Sequence, residues 1–265
     1  MVALHGVGEL GPGMMRRTGM SDKADAEGFA IVYPNARMAA LSGVAEWNVF
    51  FSASFGANPP DDTGFLRELI RVLQAELKPD PARVYVTGLS NGALMTHRLG
   101  VELGDVVAAI GVVSGTIATA GASLVPTAKS PVSVLIIHGD ADEYVPCCPL
   151  KSPATQDESF NYWAGPKANA CATVTPSGRI CAGTETPGTL ADKRATACAG
   201  GAEVHYYQLT GGTHQWYTIP MNMAGAAPYN PLLNVTTGVT TNDLLWNFFK
   251  SHPKGSVATG AAALR

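Results

Sequence analysis

A chain of 265 residues with 46% apolar and only 15% charged positions can bury one large core, and α/β domains of this size are routinely single, so residues 1–265 read as one domain. The formal net charge of -3, spread without a basic cluster, excludes nucleic acid and an anionic membrane surface as partners. No stretch approaches the roughly 18 consecutive apolar residues of a membrane span.

In chain order, residues 2–5 read as a strand, 16–27 as a helix, and Ala30-Ile31-Val32-Tyr33 as a second strand ended by Pro34. Asp61 and Asp62 offer an N-cap to a helix from Phe65 to Leu77, whose apolar residues recur at helical spacing. Strands follow at 83–87, 107–113, 132–138 and 203–209, with a helix from Ala93 to Leu103 and an amphipathic helix from Asn242 to Ser251. This alternation predicts an α/β fold in which a mostly parallel sheet carries helices on both faces through right-handed crossovers. Residues 143–202, rich in Pro, Gly, Ala, Thr and cysteine, interrupt the pattern. The part from Asn161 to Gly201 is expected as an insertion near the active-site rim, and residues 255–265 as a frayed tail.

Gly88-Leu89-Ser90-Asn91-Gly92 joins the strand at 83–87 to the helix after it, the context in which a G-x-S-x-G serine becomes a nucleophile. The glycines are needed because so tight a turn brings the serine backbone against neighbouring segments. Enzymes with this turn take their partners in the order serine, acid, histidine. The apolar strand at 132–138 runs into His138-Gly139-Asp140-Ala141-Asp142, so Asp140 and Asp142 both compete for the acid. A carboxylate there lies at the sheet edge where α/β folds bind ligands. The strand at 203–209 empties into Gly211-Gly212-Thr213-His214, which puts His214 at the same edge. An oxyanion hole needs two backbone N–H donors. Asn91 follows the nucleophile, and Val7, flanked by Gly6 and Gly8, lies in the loop after the first strand. His5, His97, His138, His205 and His252 are assigned structural roles. Trp47, Trp216 and Tyr217 are read evenly as core aromatics or as platforms for an acyl group or polymer chain.

These segments resemble a known family. Leu4-His5-Gly6, Trp47-Asn48, Asp61-Asp62-Thr63-Gly64-Phe65, residues 83–95 around Ser90, His138-Gly139-x-x-Asp142-x-x-Val145-Pro146, Cys198-x-Gly200-Gly201-Ala202-Glu203-Val204 and Gly211-Gly212-x-His214-x-Trp216 are similar to the secreted esterases grouped as polyhydroxybutyrate depolymerase and feruloyl esterase-like proteins. The likeness runs from about residue 2 to residue 250. It implies an α/β-hydrolase fold, a triad of Ser90, Asp142 and His214, and Asp142 rather than Asp140 as the acid. It also implies a bond between Cys171 and Cys198. The chain departs from the family at Val7, where cysteine is frequent, at Cys147-Cys148, where a tyrosine or similar residue follows Val-Pro, and in an extended loop from Tyr217 to Val239. The family has two further strands and a polar leader before the strand that Met1 begins. The expectation is therefore a chain with its N-terminal strands missing, leaving residues 30–33 as an apolar edge open to edge-to-edge association.

The five cysteines, at 147, 148, 171, 181 and 198, lack the CxxC spacing with neighbouring histidines that zinc requires. Disulfides fit them better and favour an oxidising compartment, so a secreted or periplasmic protein is expected although no signal peptide is present. Cys181 would pair with Cys147 or Cys148, leaving one thiol odd. The reading is a serine esterase working through an acyl-enzyme, with no metal or organic cofactor. Feruloyl or acetyl esters of plant polysaccharide are the favoured substrates and poly(3-hydroxybutyrate) or another polyester the alternative. A non-catalytic binding protein on the same fold is the remote one.

Overall fold

The structure is a computed structural model that describes residues 1–50, 53–118, 122–146, 156–175, 190–218 and 240–255. Its strands are β1 (Val2–Leu4), β2 (Tyr85–Leu89), β3 (Ala109–Val113), β4 (Ser133–Gly139), β5 (Thr173–Thr175), β6 (Leu190–Thr196) and β7 (Val204–Leu209). They form one sheet in the order β1-β2-β3-β4-β7-β6-β5. The first five in that order run parallel, and β6 and β5 add antiparallel strands beyond β7.

Every residue of β2, β3 and β4 is buried, as expected for parallel strands covered on both faces. Alternation decides which residue meets which layer. Val134 and Ile136 pack with α3 (Asp62–Leu77), α4 (Asn91–Glu102) and α5 (Gln156–Ala164) through Leu66, Met95, Leu99, Phe160 and Trp163. Leu135 and Ile137 point the other way, toward Met14 of α1 (Gly11–Thr18), Met20 of α2 (Met20–Glu27) and Leu245 and Phe249 of α6 (Thr241–Ser251). Asp61 caps α3 by accepting from Gly64 N at 2.9 Å. Thr240 and Asp243 form a reciprocal capping box on α6.

Several expectations need correction. The helix expected at 16–27 is two helices broken at Gly19, whose φ of 57° ends α1 in the left-handed conformation that glycine adopts freely. Residues 30–33 make no strand: Val32 forms only a single parallel bridge to Val2. The stretch expected as a rim insertion instead supplies α5, β5 and β6, and β6 extends the sheet. Polar composition disguised β6. Its Lys193 is buried, with Nζ 3.4 Å from Asp157 Oδ1 and 4.7 Å from the centroid of the Phe160 ring. Residues 176–189, 219–239 and 256–265, with Cys147, Cys148, Cys181, most of the extended histidine loop and nearly all of the expected tail, lie outside the described residues.

Cys171 and Cys198 are disulfide-bonded across the base of the β5–β6 hairpin, 27 residues apart. Reduction is expected to lower stability by about 3 kcal/mol through the freed unfolded chain, measured as the difference between urea unfolding curves with and without dithiothreitol. Peptide mapping without reduction should recover the pair as one linked species.

At the start of β7, Glu203 Oε2 accepts from His205 Nε2 at 2.9 Å and from His252 Nε2 at 3.3 Å. Those bonds hold the Glu203 carboxyl well below the usual carboxylate range, against the opposing push of burial. A depressed carboxyl contributes stability that is complete above its unfolded pKa, about 4.3, and is lost as the pH falls below it. Glu203→Gln should therefore lower the melting temperature at pH 7 and reduce its decline between pH 4 and 2, as read by thermal scans at both ends.

Candidate active site

Register between parallel strands carries the site. Leu89 pairs with Val113, Val113 with Ile137, and Gly139 with Leu209, so β2, β3, β4 and β7 end at one edge. Ser90, Asp142 and His214 each follow one of these ends. β1 ends there too, with Leu4 opposite Gly88, which brings the loop His5 to Gly8 beside the serine.

Ser90 occupies a φ of 56° and a ψ of -120°, a conformation that non-glycine residues rarely adopt. Its surroundings hold it there. Ser90 N donates to Val113 O at 3.1 Å, and its carbonyl accepts from Ala93 N and Leu94 N to open α4. A Cβ on Gly88 would drive into the backbone of Gly92, and one on Gly92 into the carbonyl oxygens of Leu4 and His5. A strained, half-buried serine at the N-terminus of a 12-residue helix faces the positive end of its dipole.

Asp142 is buried, and its carboxylate is fully engaged. Oδ1 accepts from Tyr144 N at 3.0 Å and Val145 N at 2.8 Å, while Oδ2 accepts from His214 Nδ1 at 2.8 Å. His138 Nε2 lies 3.2 Å from the same Oδ2. Burial opposes ionisation of this carboxyl, but the hydrogen bonds from His138, His214 and the backbone outweigh it and keep the group well below the usual carboxylate range. With Asp142 ionised, His214 carries its proton on Nδ1, and Nε2 makes no hydrogen bond among the described residues. Asp140 has a different task. Its Oδ1 accepts from Gly211 N at 2.5 Å, tying the acid turn to the histidine loop 71 residues away.

Of the two expected oxyanion donors, Val7 N–H makes no hydrogen bond among the described residues. Asn91 N–H, first in α4, has no acceptor one turn back. Gly6 lies against the serine: a Cβ there would be 3.5 Å from Ser90 Cβ. His5 holds this loop, with Nε2 accepting from Ala36 N at 3.0 Å and Nδ1 2.8 Å from Gly6 O. Burial lowers its pKa, in keeping with a neutral ring.

Trp47, Trp216 and Tyr217 are packing residues rather than stacking platforms. Trp47 is 0% exposed and its indole donates to His5 O at 3.1 Å; its own backbone N–H donates to Asn91 Oδ1 at 2.8 Å. Trp216 and Tyr217 are buried, fastening the histidine loop to α6 through Asn242 and Thr241. Among the described residues, an aromatic ring open to solvent beside the site is that of Tyr144, 81% exposed and 5.2 Å from the His214 ring. Sequence reasoning passed over Tyr144, and it gave the Asn91 side chain no role. Both sit next to residues it had named, and proximity in sequence was the available signal.

Comparison with known proteins bears on the family and the fold. A family model described as "Esterase PHB depolymerase" matches residues 1–145. A putative esterase, NocK, of Nocardia uniformis subsp. tsuyamanensis is 31% identical over 250 residues, covering 87% of this chain and 67% of that protein. Feruloyl esterase B of Neurospora crassa is 30% identical over 115 residues, 43% of this chain and 38% of that protein. A bifunctional acetylxylan esterase/xylanase of Neocallimastix patriciarum matches 54% of this chain at 27% identity, and the chain covers only 19% of its length. Among solved structures, an acetyl xylan esterase from Aspergillus awamori superposes with a TM-score of 0.54 at 19% identity, covering 81% of this chain and 82% of its own. The sheet and its helices are an α/β-hydrolase fold.

Gly139 and Gly212 lie against each other, and a Cβ on Gly139 would drive into the Gly212 carbonyl. Gly139→Ala is expected to separate the acid and histidine loops, costing about 1–3 kcal/mol of stability and more than tenfold in any activity that needs both. Urea unfolding and an ester assay on the same preparation check the two effects.

Proposed function

Because the chain belongs to the esterase PHB depolymerase family, which makes it a carboxylic ester hydrolase, we propose that Ser90, Asp142 and His214 are its catalytic triad and that it cleaves feruloyl or acetyl esters of plant polysaccharide. The observation that carries the triad is the 2.8 Å contact between His214 Nδ1 and Asp142 Oδ2, at the sheet edge where the strained Ser90 stands. In the reaction, His214 Nε2 takes the proton of Ser90 Oγ as the oxygen attacks the ester carbonyl. Asp142 holds the Nδ1–H tautomer and stabilises the imidazolium that forms. The N–H groups of Val7 and Asn91 bind the oxyanion. The imidazolium then protonates the leaving alcohol, and water, activated by the same base, releases the acid from Ser90.

The substrate class rests on relatives whose names specify acetylxylan and feruloyl esters. Hydrolysis of poly(3-hydroxybutyrate) or another polyester is the second reading, favoured by the description of the matching family. The Cys171–Cys198 bond supports a secreted or periplasmic location. No helix among the described residues is long and apolar enough to cross a membrane.

Ser90→Ala is expected to fold normally and to lose on the order of a millionfold in turnover. Asp142→Asn should cost about ten-thousandfold, whereas Asp140→Asn, which keeps an acceptor for Gly211, should cost less than about tenfold. Initial rates on p-nitrophenyl acetate rank all three, and the reverse order of the two aspartates would move the acid to Asp140. Rates on methyl ferulate and acetylated xylan should exceed weight loss of a poly(3-hydroxybutyrate) film; the opposite preference would establish the polyester reading.

A further inference from the structure

His138 is the last side chain of β4 before the acid turn, fully buried, and four residues ahead of Asp142. Its Nε2 faces two oxygens, the Val145 carbonyl at 2.6 Å and Asp142 Oδ2 at 3.2 Å. Both are acceptors, so this nitrogen carries a proton; its hydrogen bond goes to the Val145 carbonyl, and Asp142 Oδ2 lies beside it at ion-pair distance. The other nitrogen, Nδ1, is buried with no hydrogen-bond partner among the described residues, so the Nε2–H tautomer fits the site.

From this arrangement we infer that His138 is a positioning residue for the ester hydrolysis, fixing Asp142 Oδ2 toward His214 and sharing its negative charge. The inference rests on the triad proposed above. The shape of the turn supports it. Tyr144 N and Val145 N grip only Oδ1, so among the described residues His138 is, apart from His214, the group beside Oδ2. The same N–H also grips the Val145 carbonyl, so one proton fastens the strand end, the carboxylate and the exit of the turn. Among the described residues, other charged or titratable groups near the dyad are Asp140, engaged with Gly211, Tyr144, whose ring flanks His214, Tyr217, whose hydroxyl donates to Thr213 O, and the exposed Glu143 next in chain to Asp142.

Sharing has a consequence for the base. A carboxylate oxygen whose charge is shared with the His138 N–H beside it is a weaker partner for the His214 imidazolium. Removing the donor should therefore favour protonated His214 and move the acidic limb of kcat/KM to higher pH, while the less firmly held carboxylate slows turnover. Substrate binding does not involve this side chain, so KM should stay within about twofold. The expected loss in kcat for His138→Leu is about tenfold, the scale of one hydrogen bond to a charged group. Glutamine places an amide N–H where Nε2–H stood, so His138→Gln should recover most of the rate and return the limb toward its original position.

The experiment measures kcat, KM and the pH profile for the wild type, His138→Leu, His138→Gln and Asp142→Asn on p-nitrophenyl acetate, with melting temperatures alongside. A slowed, limb-shifted His138→Leu rescued by glutamine supports the inference. Unchanged kinetics in both His138 variants overturn it, as does an equal loss in both with the acidic limb fixed, which is the behaviour of a packing residue. Should His138→Leu fail to fold, His138→Met takes its place with the same outcomes, and a folded His138→Gln with tenfold lower kcat and an unmoved limb overturns the inference. Near wild-type activity in Asp142→Asn would instead remove the triad reading itself.

Discussion

Backbone-to-backbone contact at the serine turn is the constraint on which the rest of the site depends. Gly92 lies so near the Leu4 and His5 carbonyls, and Gly88 so near Gly92, that neither position has room for a side chain. That closeness brings the end of β1, the end of β2 and the first turn of α4 to one point, and holds Ser90 at a φ of 56°. Strain of this kind costs of order 1–3 kcal/mol and persists only where the surroundings over-determine it. Here the surroundings are two parallel strand pairings and the fully buried Trp47, whose N–H groups reach both Asn91 and His5. The Asn91 side chain thus braces the turn while its backbone N–H stays available.

A second constraint is electrostatic. Asp142 is buried yet ionised because donors converge on it from its own turn, from β4 and from the histidine loop. Desolvation alone would favour the neutral acid. Each donor is a backbone amide or a side chain at a strand end, so the register that aligns the strands also places the charges. The fold and the chemistry are in this respect one arrangement.

The sequence was most informative where backbone geometry leaves little choice. The G-x-S-x-G turn, the apolar run of β4 and the glycine pair before His214 announce themselves because substitutions there would collide or unbury a strand. Choosing Asp142 over Asp140 came from family likeness, since two carboxylates two residues apart look alike; the structure separates them by partner, one bound to His214 and the other to Gly211. β6 stayed hidden because its buried lysine is neutralised by Asp157 on α5, a long-range pairing that periodicity does not report. Trp47, Trp216 and Tyr217 were left open because an aromatic residue near a site in sequence can face either way. Residues 30–33 read as a strand from their β-branched and aromatic character, but they form only one bridge.

The contact between Gly139 and Gly212, with Asp140 bound to Gly211, divides the site mechanically. Asp142 and His214 belong to one unit built on β4 and β7. Ser90 and the loop from His5 to Gly8 belong to another built on β1 and β2. β3 is the spacer between them, touching one through Ser90 N to Val113 O and the other through Ser114 N to Ile137 O. The histidine–aspartate distance is therefore set within one of these units, whereas the approach of His214 to Ser90 also depends on the two strand spacings, about 10 Å, that separate β2 from β4. The Asp142–His214 contact does not cross β3, whereas the meeting of His214 with Ser90 does, so the ladder of β3 with both its neighbours is the dimension on which that meeting depends.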